Sequence, residues 1–399
     1  WKPQQKLTAS DGESGDQFGY SVALAGDTAL VGAWGDDVGT GNQGSAYVFT
    51  RSGTTWSLQQ KLAASDGEIE DHFGYSVALA GDTALVGAPW DEVGANDDQG
   101  SAYVFTRSGT TWTQQKHLTV TTGTAGDWFG SSVALDGDTA LVGATRDDVG
   151  AGSQGSAYVF TRSGTIWTQQ AQLIATEGAA GDDFGWSVAL DGDTALVGAP
   201  YAEVQDSFGT AFVFTRSGTT WTQQAYLIPS GTVVVGYFGW SVALSGNTAL
   251  VGSPGDQVGA NSSQGATYVF TRSGTTWSQQ QRLTVADGAE YDEFGISVAL
   301  DGNTALAGAY HDDIAANEDQ GSAYIFTRSG TTWSPQAKLF ASDGAAWDEF
   351  GWSVALSGDT ALVGAYLDDI GTNNNQGSVY FYYESSLKIY LPLVLRNTP

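Results

Sequence analysis

Seven Phe-Gly pairs, beginning at Phe18, Phe73, Phe129, Phe184, Phe238, Phe294 and Phe350, recur at intervals of 54 to 56 residues. A fixed period of that size means that one supersecondary unit is repeated and that no single copy can bury its own core. Within each copy the pattern is that of β-structure. In the first, residues 18–24 (FGYSVAL) alternate large and small side chains, as a packed strand does. Residues 27–33 (DTALVGA) follow a tight turn at Gly26, where glycine accepts a positive φ. Residues 44–50 (GSAYVFT) are rich in β-branched and aromatic side chains. After a turn at Ser52-Gly53, residues 56–62 give a fourth strand. No stretch shows a convincing helical period. With the strands of a unit lettered a to d, four antiparallel strands repeated seven times predict an all-β, seven-bladed β-propeller.

The ends of the chain predict how the ring closes. Residues 1–7 (WKPQQKL) match 56–62 (WSLQQKL), yet no strands a to c precede them. The last unit has a, b and c and stops near 377–384 (GSVYFYYE). The N-terminal strand is therefore expected to complete the last blade. That assigns residues 1–383 to the propeller and leaves 384–399 as a short apolar C-terminal tail.

The Phe-Gly starts, together with Gly-Ala-Pro at 87–89 and 198–200, resemble FG-GAP repeats, the units of the integrin α-subunit propeller. The resemblance spans roughly residues 1–383 and implies a non-catalytic recognition or adhesion module, secreted or displayed on a cell surface. In the integrin type some a–b hairpins carry an Asp-rich calcium loop. Here that connection is only AGD, DGD, SGN or DGN, as at 25–27, so the calcium site does not transfer and no metal ligand is assigned.

Composition narrows the function classes. There is no cysteine, which excludes disulfides, thiolate metal sites and cysteine nucleophiles. There is no methionine, so a chain starting at Trp1 reads as processed or cut from a longer one, with loss of a secretory signal the expected route. No apolar run is long enough for a spanning helix. A net charge of −29 argues against nucleic-acid phosphate as partner. Three histidines fall in different units at unrelated positions, and the repeated Ser21-type serine has no histidine in its own unit, so no enzyme is expected.

In a propeller the d–a and b–c connections share one face. Those connections hold 35 of the 44 acids. The b–c loops pair acids with aromatics: Trp34, Asp36 and Asp37; Trp90 and Asp91; Asp147 and Asp148; Tyr310, Asp312 and Asp313; Tyr366, Asp368 and Asp369. Each has a bland reading as solubility or blade packing. The functional reading is a protein or glycan ligand on an acidic, aromatic face, with calcium as a possible companion of the carboxylates and no cofactor required. A lectin-like propeller and a structural subunit of an extracellular homo-oligomer are the alternatives.

A single partner needs a break in the sevenfold symmetry. Blade four has the shortest b–c connection, and the d–a connection after it, 228–239, is the only one without an acid. Together they bring Tyr201, Phe208, Val233, Val234, Val235, Tyr237 and Trp240 to one apolar gap, the expected partner-binding site. The tail (385–399) resembles short apolar tails of some bacterial exported proteins. A sorting signal, an intrachain strand and a self-association contact all remain open for it.

Overall fold

The computed structural model describes residues 1–39, 41–150, 152–205, 207–230 and 236–385. Among them are 28 strands and no helix, sorted into seven four-stranded antiparallel sheets. The first blade is typical: β2 (Ser21–Ala25), β3 (Thr28–Ala33), β4 (Ser45–Ser52) and β5 (Thr55–Leu62), paired in that order. The seventh contains β26 (Ser353–Ser357), β27 (Thr360–Ala365) and β28 (Ser378–Tyr383), and its outer strand is β1 (Lys2–Leu7). β1 runs antiparallel to β28 with Leu7 opposite Val379 and Lys2 opposite Tyr383. The chain thus closes its ring as a seven-bladed β-propeller.

The core lies between blades. Along β3, Ala29 and Val31 pack with Leu362, Val379 and Phe381 of blade seven, while Leu30 packs with Phe73, Val86 and Tyr103 of blade two. Both faces of this strand are covered, which is why all six of its residues are buried and why it reads as a nearly unbroken apolar run. Phe18 sits edge-on to Tyr47 and Phe49, with ring centroids 5.3 and 6.0 Å apart.

The Phe-Gly pair stands just outside strand a in most blades, contrary to the start at residue 18 expected from alternation. It is held instead from two sides: the Phe18 amide donates at 2.9 Å to Gln376 O on the b–c connection of blade seven, and the Gly19 amide at 3.0 Å to Gly32 O on β3. Only in blade three does the strand, β10 (Phe129–Asp136), include it. The glycines are required by contact. A Cβ on Gly32 would run into the Gly74 carbonyl of the next blade, the same carbonyl that accepts a 2.7 Å hydrogen bond from Ser21 Oγ. The equivalent bond from Ser353 to Gly19 O, also 2.7 Å, closes the circle.

Two further contacts repeat around the ring. Gln60 exchanges two 2.8 Å hydrogen bonds with the backbone of Trp112 in the next blade, and Gln59 accepts from the Trp112 indole N–H at 2.8 Å. Near the c–d turn, Arg51 donates to Asp27 at 2.7 Å and to Thr360 of the previous blade at 2.8 Å. The repeated Gln-Gln and Arg are therefore clasps between blades.

Candidate functional site

The residue after each Phe-Gly lines the mouth of the axial channel. Tyr20, Tyr75, Ser131, Trp186, Trp240, Ile296 and Trp352 ring it, enclosing with Trp128 and Thr145 a cavity of about 430 Å³. Below them the Ser21-type and Val22-type residues of all seven blades narrow the channel. The residue before each Phe-Gly (Gln17, His72, Trp128, Asp183, Tyr237, Glu293, Glu349) holds a positive φ of 53 to 57°. The Phe18-type residue must enter the core and the Tyr20-type residue must reach the axis. Gly19, at φ +95°, turns the chain between them, directly after the left-handed Gln17.

Around this mouth the aromatics join into two arcs. One runs from Tyr310 and Tyr366, whose rings lie 5.2 and 4.9 Å from Trp352, through Tyr20 to Trp34. Trp34 and Trp90 then bracket His72, each 4.5 Å away and edge-on, and Trp90 meets Trp128, over which Arg146 lies at 3.5 Å. The second arc contains the expected partner site. Tyr201 is 5.6 Å from Tyr237 and 6.5 Å from Phe208, and Tyr237 is 6.1 Å from Trp240. Trp240 in turn lies 4.6 Å from Trp186, so this cluster is continuous with the channel mouth. Val233, Val234 and Val235 lie outside the described residues.

The short connection of blade four is a strand extension. β15 (Thr194–Val204) and β16 (Ser207–Ser217) form one long hairpin, with Glu203 opposite Phe208 and Val204 opposite Ser207. Ala202 and Val204 are buried against Phe184 and Leu173, which anchors the hairpin and sets Tyr201 beside Phe208.

The paired acids of the b–c loops divide into two roles. The first of each pair, Asp36, Asp91, Asp147, Asp312 and Asp368, is buried. Asp36 accepts hydrogen bonds from Ser45 and, at 2.8 Å, from Tyr47, and stands 2.7 Å from Lys61 Nζ. Burial, reinforced by the Asp36 charge, pushes the Tyr47 hydroxyl far above its ordinary range. The second of each pair, Asp37, Asp148, Asp313 and Asp369, is exposed. Each accepts a backbone N–H across its own loop, from Asn42, Ser153, Asp319 and Asn375 respectively. Among the described residues no group of three or more His, Asp or Glu is arranged to hold a metal ion. The a–b connection leaves only Gly26 and Asp27 between paired residues, and the Asp27 carboxylate is taken by Arg51.

Sequence reasoning missed the partners of these acids. The Lys61 position is filled by His117, Gln172, Tyr226, Arg282, Lys338 and Lys6 in the other blades. Blade four changes the whole set together: Ala202 replaces the acid, Phe212 the tyrosine, Thr210 the serine and Tyr226 the lysine. Removing every partner at once avoids stranding a buried charge. Aligning the seven repeats column by column carries this signal. In blade two, His117 Nε2 lies 2.7 Å from Ser101 Oγ, and its Nδ1 lies 3.0 Å from Asp66. That order of groups resembles an acyl-transfer triad, but Ser101 is fully buried and shares its position with Ser45, Ser156, Ser322 and Ser378. Those four equivalent serines each donate to the buried aspartate of their own blade.

The FG-GAP repeat model matches residues 1–49, 56–105, 112–160, 167–214, 221–270, 277–326 and 333–382. The chain belongs to the FG-GAP repeat family. FG-GAP propellers are commonly extracellular recognition or adhesion modules and typically non-enzymatic. No curated protein matches the sequence. No helix among the described residues of this FG-GAP propeller is long and apolar enough to cross a membrane.

Proposed function

We propose that this chain is a non-catalytic extracellular recognition module that captures a protein partner at the end of the propeller where the b–c and d–a connections meet. The observation that carries the reading is the continuity of the second aromatic arc, from Phe208 and Tyr201 through Tyr237 and Trp240 to the channel mouth. A half-buried aromatic strip leading into a cavity offers a partner an anchoring pocket with a hydrophobic rim. The carboxyls near the mouth favour a basic side chain in that pocket. Burial raises Glu293 and Glu349 above the ordinary carboxyl range, and each carboxyl hydrogen-bonds a tyrosine, Tyr310 and Tyr366 respectively. An incoming cation would stabilise their charged form.

Panning a displayed random-peptide library on the protein tests this. Binders enriched in Arg or Lys next to an aromatic are expected, and Trp186→Ala with Trp240→Ala should weaken them more than tenfold, about 1.4 kcal/mol. Recovery of the same binders at the same strength on the double variant would refute the reading.

A further inference from the structure

A second site lies on the closing blade, away from the channel. Of the 14 tryptophans only Trp347 is exposed, at 53%. It stands on the d–a connection of blade seven and lines a cleft of about 620 Å³ between that connection and the b–c loop near residues 367–375. Its backbone is left-handed, with φ +70°. Three other repeats place Gly15, Gly126 and Gly181 at this position, at φ +90, +82 and +80°, while blade two places the polar Glu70 there, at φ +69°. Glycine takes that conformation without penalty, whereas a bulky side chain there is strained. Trp347 therefore combines backbone strain with an indole left in water, and neither helps the fold. Tyr291 repeats the arrangement in blade six, with φ +69° and 59% exposure. Strain retained without a packing benefit points to a ligand.

The other walls of the cleft indicate which ligand. Asp343 and Asp369 present exposed carboxylates, and Thr8 and Asn375 add hydroxyl and amide groups. Lys6 is already shared between Asp343 at 3.0 Å and Asp368 at 2.7 Å, so no spare cation faces the cleft from it. A flat exposed ring beside several acceptors suits a sugar, whose apolar face stacks while its hydroxyls donate. The surplus of carboxylates opposes uronates and sulfated sugars. We infer that the Trp347 cleft binds a neutral glycan, with the indole as stacking platform and Asp343 and Asp369 as hydroxyl acceptors. This site is separate from the aromatic mouth of the channel.

Titration calorimetry with cello-, manno-, galacto- and oligogalacturonate oligosaccharides tests it on the full chain. At least one neutral series should bind, and oligogalacturonate should not. Trp347→Gly installs the residue found in three of the sibling blades. It should weaken binding at least tenfold while leaving the melting temperature equal or higher, and Asp369→Asn should weaken it several-fold. Trp240→Ala should leave glycan binding unchanged, which separates this site from the channel. The inference is overturned if no neutral series binds, or if Trp347→Gly binds as the parent does.

Discussion

The Asp71 carboxyl is 1% exposed and accepts a 2.5 Å hydrogen bond from the Glu68 amide. Burial pushes it from 3.8 up to about 7; the amide bond opposes the rise, and the charges of Asp91, Glu68 and Asp66 add to it. Because the folded value lies above the unfolded one, the folded state holds the proton more tightly. Stability from this group is full below about pH 4 and is lost as pH rises toward 7. Replacing Asp71 with Asn keeps the acceptor for Glu68 and removes the ionisation. The ceiling on the gain is roughly 4 kcal/mol, from 1.36 kcal/mol for each pH unit. Screening by nearby solvent and local relaxation reduce that to about 1–2 kcal/mol. Thermal melts of parent and Asp71→Asn at pH 4, 6 and 8 give the check. The variant should match the parent at pH 4, exceed it at pH 6, and exceed it by a few degrees at pH 8, given about 2–4 °C per kcal/mol in somewhat smaller proteins. A difference that is flat with pH, or a less stable variant at pH 8, would refute the argument. Asp16, Asp292 and Asp348, each raised to about 6 mainly by burial, act in the same direction.

Two further outcomes follow from the repeated contacts. In blade one, Asp36→Ala alone should cost about 1–3 kcal/mol in denaturant unfolding, because it removes the acceptor of buried Ser45 and leaves Tyr47 and Lys61 with only Asp11. Adding Ser45→Thr, Tyr47→Phe and Lys61→Tyr, the set already present in blade four, should restore stability to within about 1 kcal/mol of the parent, whereas strictly additive losses would contradict the concerted reading. Deleting residues 1–7 removes β1 from the closing blade, and the melting temperature should fall by several degrees; an unchanged curve would sink the role of that strand in closure.

The ring was legible in the sequence because its determinants are local and repeated seven times. The Phe-Gly spacing, the glycine turns and the apolar b strands each specify one strand or turn, and the unmatched residues 1–7 specify the closure. Blade four's irregularity was legible as well, through a shortened connection and an acid-free neighbour. What the sequence could not sort was which side chains face inward. Asp36 and Asp37 are adjacent identical residues, yet one is buried on Tyr47 and Lys61 and the other is exposed, and only the path of the b–c loop decides between them. The partners of Asp36 lie 9 to 25 residues away on other strands, so no short motif unites them. The aromatic mouth has the same origin. Trp186 and Trp240 are 54 residues apart in the chain and 4.6 Å apart in space, because ring closure turns equivalent positions of separate repeats into neighbours. Composition and period determine that there are seven blades, while the circle they form decides which of seven similar positions become one surface.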